Sequence, residues 1–165
     1  MNKMYKNWQS QMDNITLPKW DDLPKFDLYM DQLIAVVNEA VVPLGADPVT
    51  KTMVNNYVKN KATFAPVKKK YQTVHIADII IISLLKPIFS ISLIRSGIDA
   101  VTKQNFPKQA YDEFITLLVS KLHSLAQNEP INHFDDDTDE LLSVIADTIV
   151  DRLKANNIYK SISKH

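Results

Sequence analysis

Residues 27–61 read DLYMDQLIAVVNEAVVPLGADPVTKTMVNNYVKNK, and the periodicity of this stretch decides the fold. Leu28, Met30, Leu33, Ile34, Val37 and Val41 recur near the helical spacing of about 3.6 residues, so a helix is expected to open at Asp27 and stop at Pro43. The connector PLGADPV holds two prolines and Gly45, which is turn chemistry. Thr50 then stands where an N-cap is wanted, ahead of a second helix, KTMVNNYVKNK. On that helix Met53, Val54, Tyr57 and Val58 share one side. Thr52, Asn55, Asn56 and Lys59 line the other.

Working outward, ATFAPVKKKYQT contains Pro66 and reads as a loop or a small two-stranded ribbon. Thr73 is expected to cap the next helix, VHIADIIIISLLK, which is apolar nearly all round and therefore buried. Pro87 ends it, and Ser90 caps ISLIRSGIDAV. The apolar run Ile76–Ile94 is interrupted by Asp78, Lys86 and Pro87, so it falls short of the roughly 20 residues of a membrane span. It reads as two buried core helices. Pro107 sits in the first turn of an amphipathic helix with a stripe of Tyr111, Phe114, Ile115, Leu118, Leu122 and Leu125. A last helix spans about Thr138 to Lys154, with Leu141, Leu142, Ile145, Ile149 and Leu153 as its stripe. Met1–Pro24 holds Trp8 and Trp20 without a sustained period and reads as an arm whose aromatics pack onto the body. The expectation is an all-α fold in three parts: an arm over 1–26, a helix-turn-helix domain over 27–101 and a C-terminal helical region over 102–165.

Composition narrows the function classes. The 165 residues balance 19 Lys+Arg against 19 Asp+Glu and include 2 Gly and no Cys. Without cysteine there is no disulfide framework, thiolate nucleophile or thiolate-held metal, and the cytoplasm is the default compartment. Two glycines exclude the Gly-rich loops that cradle nucleotide phosphates. The N-terminus has no apolar segment of the signal-peptide kind.

The net charge of zero hides a segregation. Pro48 to Ala77 contains no acid and carries Lys51, Lys59, Lys61, Lys68, Lys69 and Lys70, whereas Asp99 to His165 holds 11 acids against 7 basic residues. A cationic middle of this kind points to a polyanion, or else to a solvated surface. Asn pairs with the adenine edge, Thr contacts a thymine methyl or a phosphate, and Lys neutralises phosphates, so the polar face of the second helix suits DNA recognition.

Other constellations are weaker. Asp135, Asp136, Asp137, Asp139 and Glu140 fail as a calcium loop, because Glu140 and Ala146 stand where Gly and a bidentate Glu are required. They read as charges favoured at a helix N-terminus. His75, His123, His133 and His165 lack metal-ligand spacing, and His75 reads as a capping or wing-packing residue. No catalytic arrangement, metal site or cofactor is expected.

Thr50, Met53, Val54, Asn56, Tyr57, Val58 and Lys59 resemble the second helix of MerR-type winged helix-turn-helix domains, with the pattern T-x-x-[hydrophobic]-R-x-Y-x-x-x-G-L. Pro66, Lys69, Lys70, Tyr71, His75, Ile76 and Ala77 resemble the wing and the start of the helix after it, and Ile81, Leu85, Phe89, Ser90, Ile91 and Ile94 the helices that follow. More closely, P-L-G-x-x-x-x-T-x-x-M-V-N-N-Y-V-K with K-K-Y-x-x-x-H-I-A is similar to a MerR-related bacterial family, domain of unknown function 1836. The sequence departs from the MerR pattern at Asn55 or Asn56, where that pattern has Arg, and at Ala62 and Lys69, where the wing has Gly and Arg. The resemblance implies a DNA-binding regulator that dimerises through a C-terminal helix and takes a small-molecule or protein input. The expected contacts to double-stranded DNA are Thr50, Lys51, Thr52, Asn55, Asn56, Lys59, Lys61, Lys68, Lys69, Lys70 and Tyr71. The competing expectation is a helical protein–protein interaction module in which the lysines only solubilise a face.

Overall fold

The computed structural model describes residues 3–103, 105–125 and 137–163. Among these the architecture is all-α, with seven helices: α1 Lys3–Met12, α2 Met30–Val41, α3 Lys51–Lys59, α4 Thr73–Leu85, α5 Ile91–Thr102, α6 Pro107–His123 and α7 Asp137–Ser163. Extended pairing among the described residues is confined to two isolated antiparallel bridges, Leu28 with Tyr71 and Val67 with Lys70. The chain divides into two compact units, one of Pro18–Asp112 and one of Met1–Leu17 with Glu113–His165.

The Pro18–Asp112 unit is organised around α4, in which ten of thirteen residues are buried, as its apolar sequence leads one to expect. The amphipathic α2 packs on it, burying Leu33, Val37, Ala40 and Val41. The helix does not open at Asp27. Leu28 is held in extended backbone by two 2.8 Å hydrogen bonds with Tyr71, so helical geometry begins only after Tyr29, whose N–H donates to Gln32 Oε1 at 2.9 Å. Nor does Thr73 cap α4. Gln72 is the N-cap, and Thr73, the first helical residue, donates its hydroxyl to the Pro24 carbonyl at 2.7 Å.

Ser90 caps α5 as expected, accepting from the Leu93 N–H at 3.2 Å. The expectation of a second buried helix is corrected, however. Only Ile94 of α5 is buried and Leu93 is 56% exposed, because this helix turns one narrow apolar face inward. Trp20 packs edge-on against Tyr111 at the start of α6, and the Tyr111 hydroxyl donates to the Pro18 carbonyl at 2.9 Å.

The other unit joins α1, the rest of α6 and α7. The N-terminal segment read as an arm contains a helix, whose Tyr5 and Met12 are buried and whose Tyr5 and Trp8 rings stack at 5.5 Å. In α6, Phe114, Ile115, Leu118 and Leu122 are buried, and α7 contributes Leu142, Ala146, Ile149, Val150 and Leu153. Leu141, expected on that stripe, is 42% exposed. The last helix continues beyond Lys154 to Ser163. Asn157 and Ser161, which would otherwise compete with the backbone, bond to carbonyls of their own helix, those of Leu153 and Ile158.

Candidate nucleic-acid interface

Between α2 and α3 the chain makes a 3₁₀ turn, Val42–Leu44, that ends at Gly45 with φ 89°, a left-handed conformation that favours glycine. Asn38 on α2 then fixes where α3 begins. Its amide accepts from the Val49 N–H at 2.7 Å and donates to the Val49 carbonyl at 3.1 Å. Val49 is buried, and the next residue, Thr50, caps α3 by accepting from the Met53 N–H at 3.3 Å. With its start fixed, α3 buries Val54 and Tyr57 and leaves Lys51, Thr52, Asn55, Asn56 and Lys59 exposed.

The end of α3 is a Schellman cap. Ala62 N–H bonds to the Tyr57 carbonyl at 2.8 Å and Lys61 N–H to that of Val58 at 3.0 Å, with Lys61 left-handed at φ 57°. The left-handed residue is therefore Lys61, four after Tyr57, and Ala62 is buried. Farther on, Val67 and Lys70 exchange two hydrogen bonds of 3.1 and 2.9 Å across a two-residue loop, Lys68 and Lys69. Their φ values of 50° and 62° are positive at both central positions, as a type I′ turn requires. For a residue with a Cβ, each such position costs about 1–2 kcal/mol.

Pairing of Leu28 with Tyr71 adds a third segment to this hairpin, and the strand alternation decides what it shows to solvent. Leu28 and Tyr71 point inward, at 2% and 4% exposure. Tyr29 and Lys70 point outward, with the Lys70 ammonium 5.7 Å from the centre of the Tyr29 ring. Tyr71 thus departs from the expected set of contacts. Its ring meets His75 edge-on at 5.4 Å within the core, and only its backbone belongs to the hairpin. His75 does cap and pack. Its Nδ1 accepts from the Gln72 N–H at 2.9 Å, which leaves the hydrogen on Nε2, facing the Ala65 carbonyl at 3.4 Å.

The electrostatics of this surface are one-sided. Lys51 pairs with Asp31 at 2.8 Å, both largely exposed. Among the described residues no acid lies within ion-pair distance of Lys59, Lys61, Lys68 or Lys69. Behind the exposed face is a buried group that reading the sequence did not single out. Asp78 on α4 accepts from the Thr63 hydroxyl at 2.9 Å and pairs with Arg95 of α5 at 3.1 Å. Arg95 also donates to the Ala62 carbonyl at 3.2 Å, binds Asp99 at 2.6 Å and lies 5.6 Å from the Phe64 ring centre. Arg95 therefore holds the segment that links α3 to the hairpin. Burial pushes the Asp78 carboxyl above its ordinary value, against the opposing pull of Arg95. The signal was an acid inside the apolar run and one of only two arginines in the chain.

Among the described residues no group of three or more His, Asp or Glu side chains could hold a metal, and no helix is long and apolar enough to cross a membrane. Asp137, Asp139 and Glu140 occupy the first turn of α7, while Asp135, Asp136, His133 and His165 lie outside the described residues.

The family model described as Domain of unknown function (DUF1836) matches residues 18–114, nearly the same stretch as the Pro18–Asp112 unit. The chain belongs to this family. No curated protein and no solved structure matches the chain.

Proposed function

We propose that the protein is a sequence-specific DNA-binding transcriptional regulator of MerR-like winged helix-turn-helix type, which acts in the cytoplasm and binds duplex DNA as a homodimer. The observation that carries this reading is the exposed face of α3, where Thr52, Asn55, Asn56 and Lys59 stand together at the head of an acid-free stretch. A helix of this kind fits the major groove, with the two asparagines at base edges and Lys51 and Lys59 at phosphates. The hairpin of Val67–Lys70 takes the part of the wing, and its lysines meet the backbone.

Asn38 and Arg95 serve the reading as positioning residues. One fixes where α3 begins and the other holds the segment after it. Dimerisation is supported by apolar side chains that α7 leaves exposed: Leu141, Val144, Ile158 and Tyr159. Two copies reading two half-sites also supply the specificity that one short helix lacks.

The same exposed residues of α7 support a second reading, a helical module that engages a protein partner through apolar area. Selection of duplexes from a random library by the purified protein separates the two. Enrichment of a pseudo-palindromic site is the expected result, and a pool that stays random after repeated rounds would leave the second reading in possession.

A further inference from the structure

Three exposed lysines hold left-handed backbone: Lys61, Lys68 and Lys69. Glycine is free of the Cβ clash in this conformation and Asn tolerates it, which is why both dominate such positions. The chain is not short of either solution. It uses glycine for the left-handed turn at Gly45, and Asn60 directly precedes Lys61.

Apart from the modest attraction of a cation at Lys61 to the C-terminal end of α3, nothing within the unit explains the choice of lysine. The three side chains are exposed, so packing does not reward them. No described acid pairs with them, so an ion pair does not either. The backbone hydrogen bonds of the Schellman cap and of the hairpin need only the left-handed conformation, which Gly and Asn provide with less strain. What remains specific to lysine is the ammonium group itself. All three ammonium groups fall in the longest acid-free stretch of the unit, Pro48 to Ala77. Strain kept at exposed positions, with little return inside the fold, is a mark of a binding surface.

We propose that Lys61, Lys68 and Lys69 are sequence-neutral contacts to the phosphates of duplex DNA, held in place at the expense of the unit's own stability. The inference rests on the DNA-binding reading above and adds a consequence which that reading lacks. Removing the strain and the charge together makes the protein more stable and a poorer binder.

The test uses the full chain with Lys61→Gly and with the paired change Lys68→Asn, Lys69→Gly, which installs the Asn-Gly pair preferred in type I′ turns. Thermal unfolding is measured beside binding to a selected duplex and to a random-sequence duplex over a series of salt concentrations. The expected result is a Tm raised by several degrees, with affinity lowered several-fold and equally for both duplexes. The slope of log affinity against log salt should flatten by about 0.9 for each lysine removed from a protomer. Arginine at the same positions keeps strain and charge, so Lys61→Arg and Lys68→Arg with Lys69→Arg should leave Tm and binding as they were. A Tm that falls in the Gly and Asn variants overturns the proposal, as does affinity that is unchanged in them while Lys59→Ala weakens it. Failure of the unaltered protein to bind either duplex at low salt overturns the DNA-binding reading itself, and this inference with it.

Discussion

In α4, ten of thirteen residues are buried and the backbone is helical throughout, whereas in residues 48–71 the chain repeatedly departs from what its own backbone prefers. The isoleucines of α4 are apolar, helical in context and enclosed. The lysines after α3 are charged, left-handed at three positions and exposed. The difference teaches where to look for function. A region that satisfies every rule is explained by folding alone, and one that breaks a rule without an internal return needs an external partner.

The comparison breaks most visibly under truncation of the core. Ile80→Ala, at a fully buried site on α4, should cost about 2–5 kcal/mol by chemical denaturation. Asn55→Ala, at an exposed site on α3, should change stability by no more than about 0.5 kcal/mol. If the exposed change cost as much as the buried one, α3 would be a structural helix and not a display surface.

Binding reverses the ranking. Asn55→Ala or Asn56→Ala should lose about 1–3 kcal/mol at a selected site and little on random duplexes, measured by competition binding. Asn60 gives a finer control. Its amide already bonds to the Asn56 carbonyl and side chain at 2.8 and 2.7 Å, so its own replacement should matter less.

A smaller effect sits at the border between the two regions. Tyr57 anchors α3 to the core, yet its hydroxyl is buried without a partner among the described residues. Tyr57→Phe removes an unsatisfied group and keeps the ring, so stability should rise by about 1 kcal/mol in thermal or chemical unfolding. A loss of that size would mean the hydroxyl has a partner in solution, such as a bound water.

The smallest effect is in pH dependence. Burial raises the Asp78 carboxyl, so the folded state holds that proton more tightly than the unfolded chain does. The resulting stability is present below the ordinary carboxylate value of 3.8 and is lost as pH rises through the raised one. Asp78→Asn should flatten unfolding free energy against pH across that window, and an unchanged profile would place the titration elsewhere.

How much of this could be read in advance depended on the range of the interaction. The α2–turn–α3 order was legible because helical spacing, Gly45 and the Thr50 cap are all local signals. α1 was missed because only Tyr5, Trp8 and Met12 mark its face, at spacings of three and four among polar residues. The end of α7 was hidden by Asn156 and Asn157, poor helix formers within a helix that continues. Tyr71 was assigned to the surface because its inward direction follows from pairing with Leu28, far away in sequence. The Asp78–Arg95 pair was invisible for the same reason. The exposure of the α3 polar face was legible, while the left-handed lysines that follow it emerged only from the backbone.

The central claim is that the acid-free stretch meets phosphates, and titrating duplex affinity against salt tests it most directly. If Lys59, Lys61, Lys68 and Lys69 each neutralise one phosphate, log affinity should fall with log salt with a slope of about −3.6 or steeper per protomer. A slope near zero, or no binding to any duplex at low salt, would contradict the account.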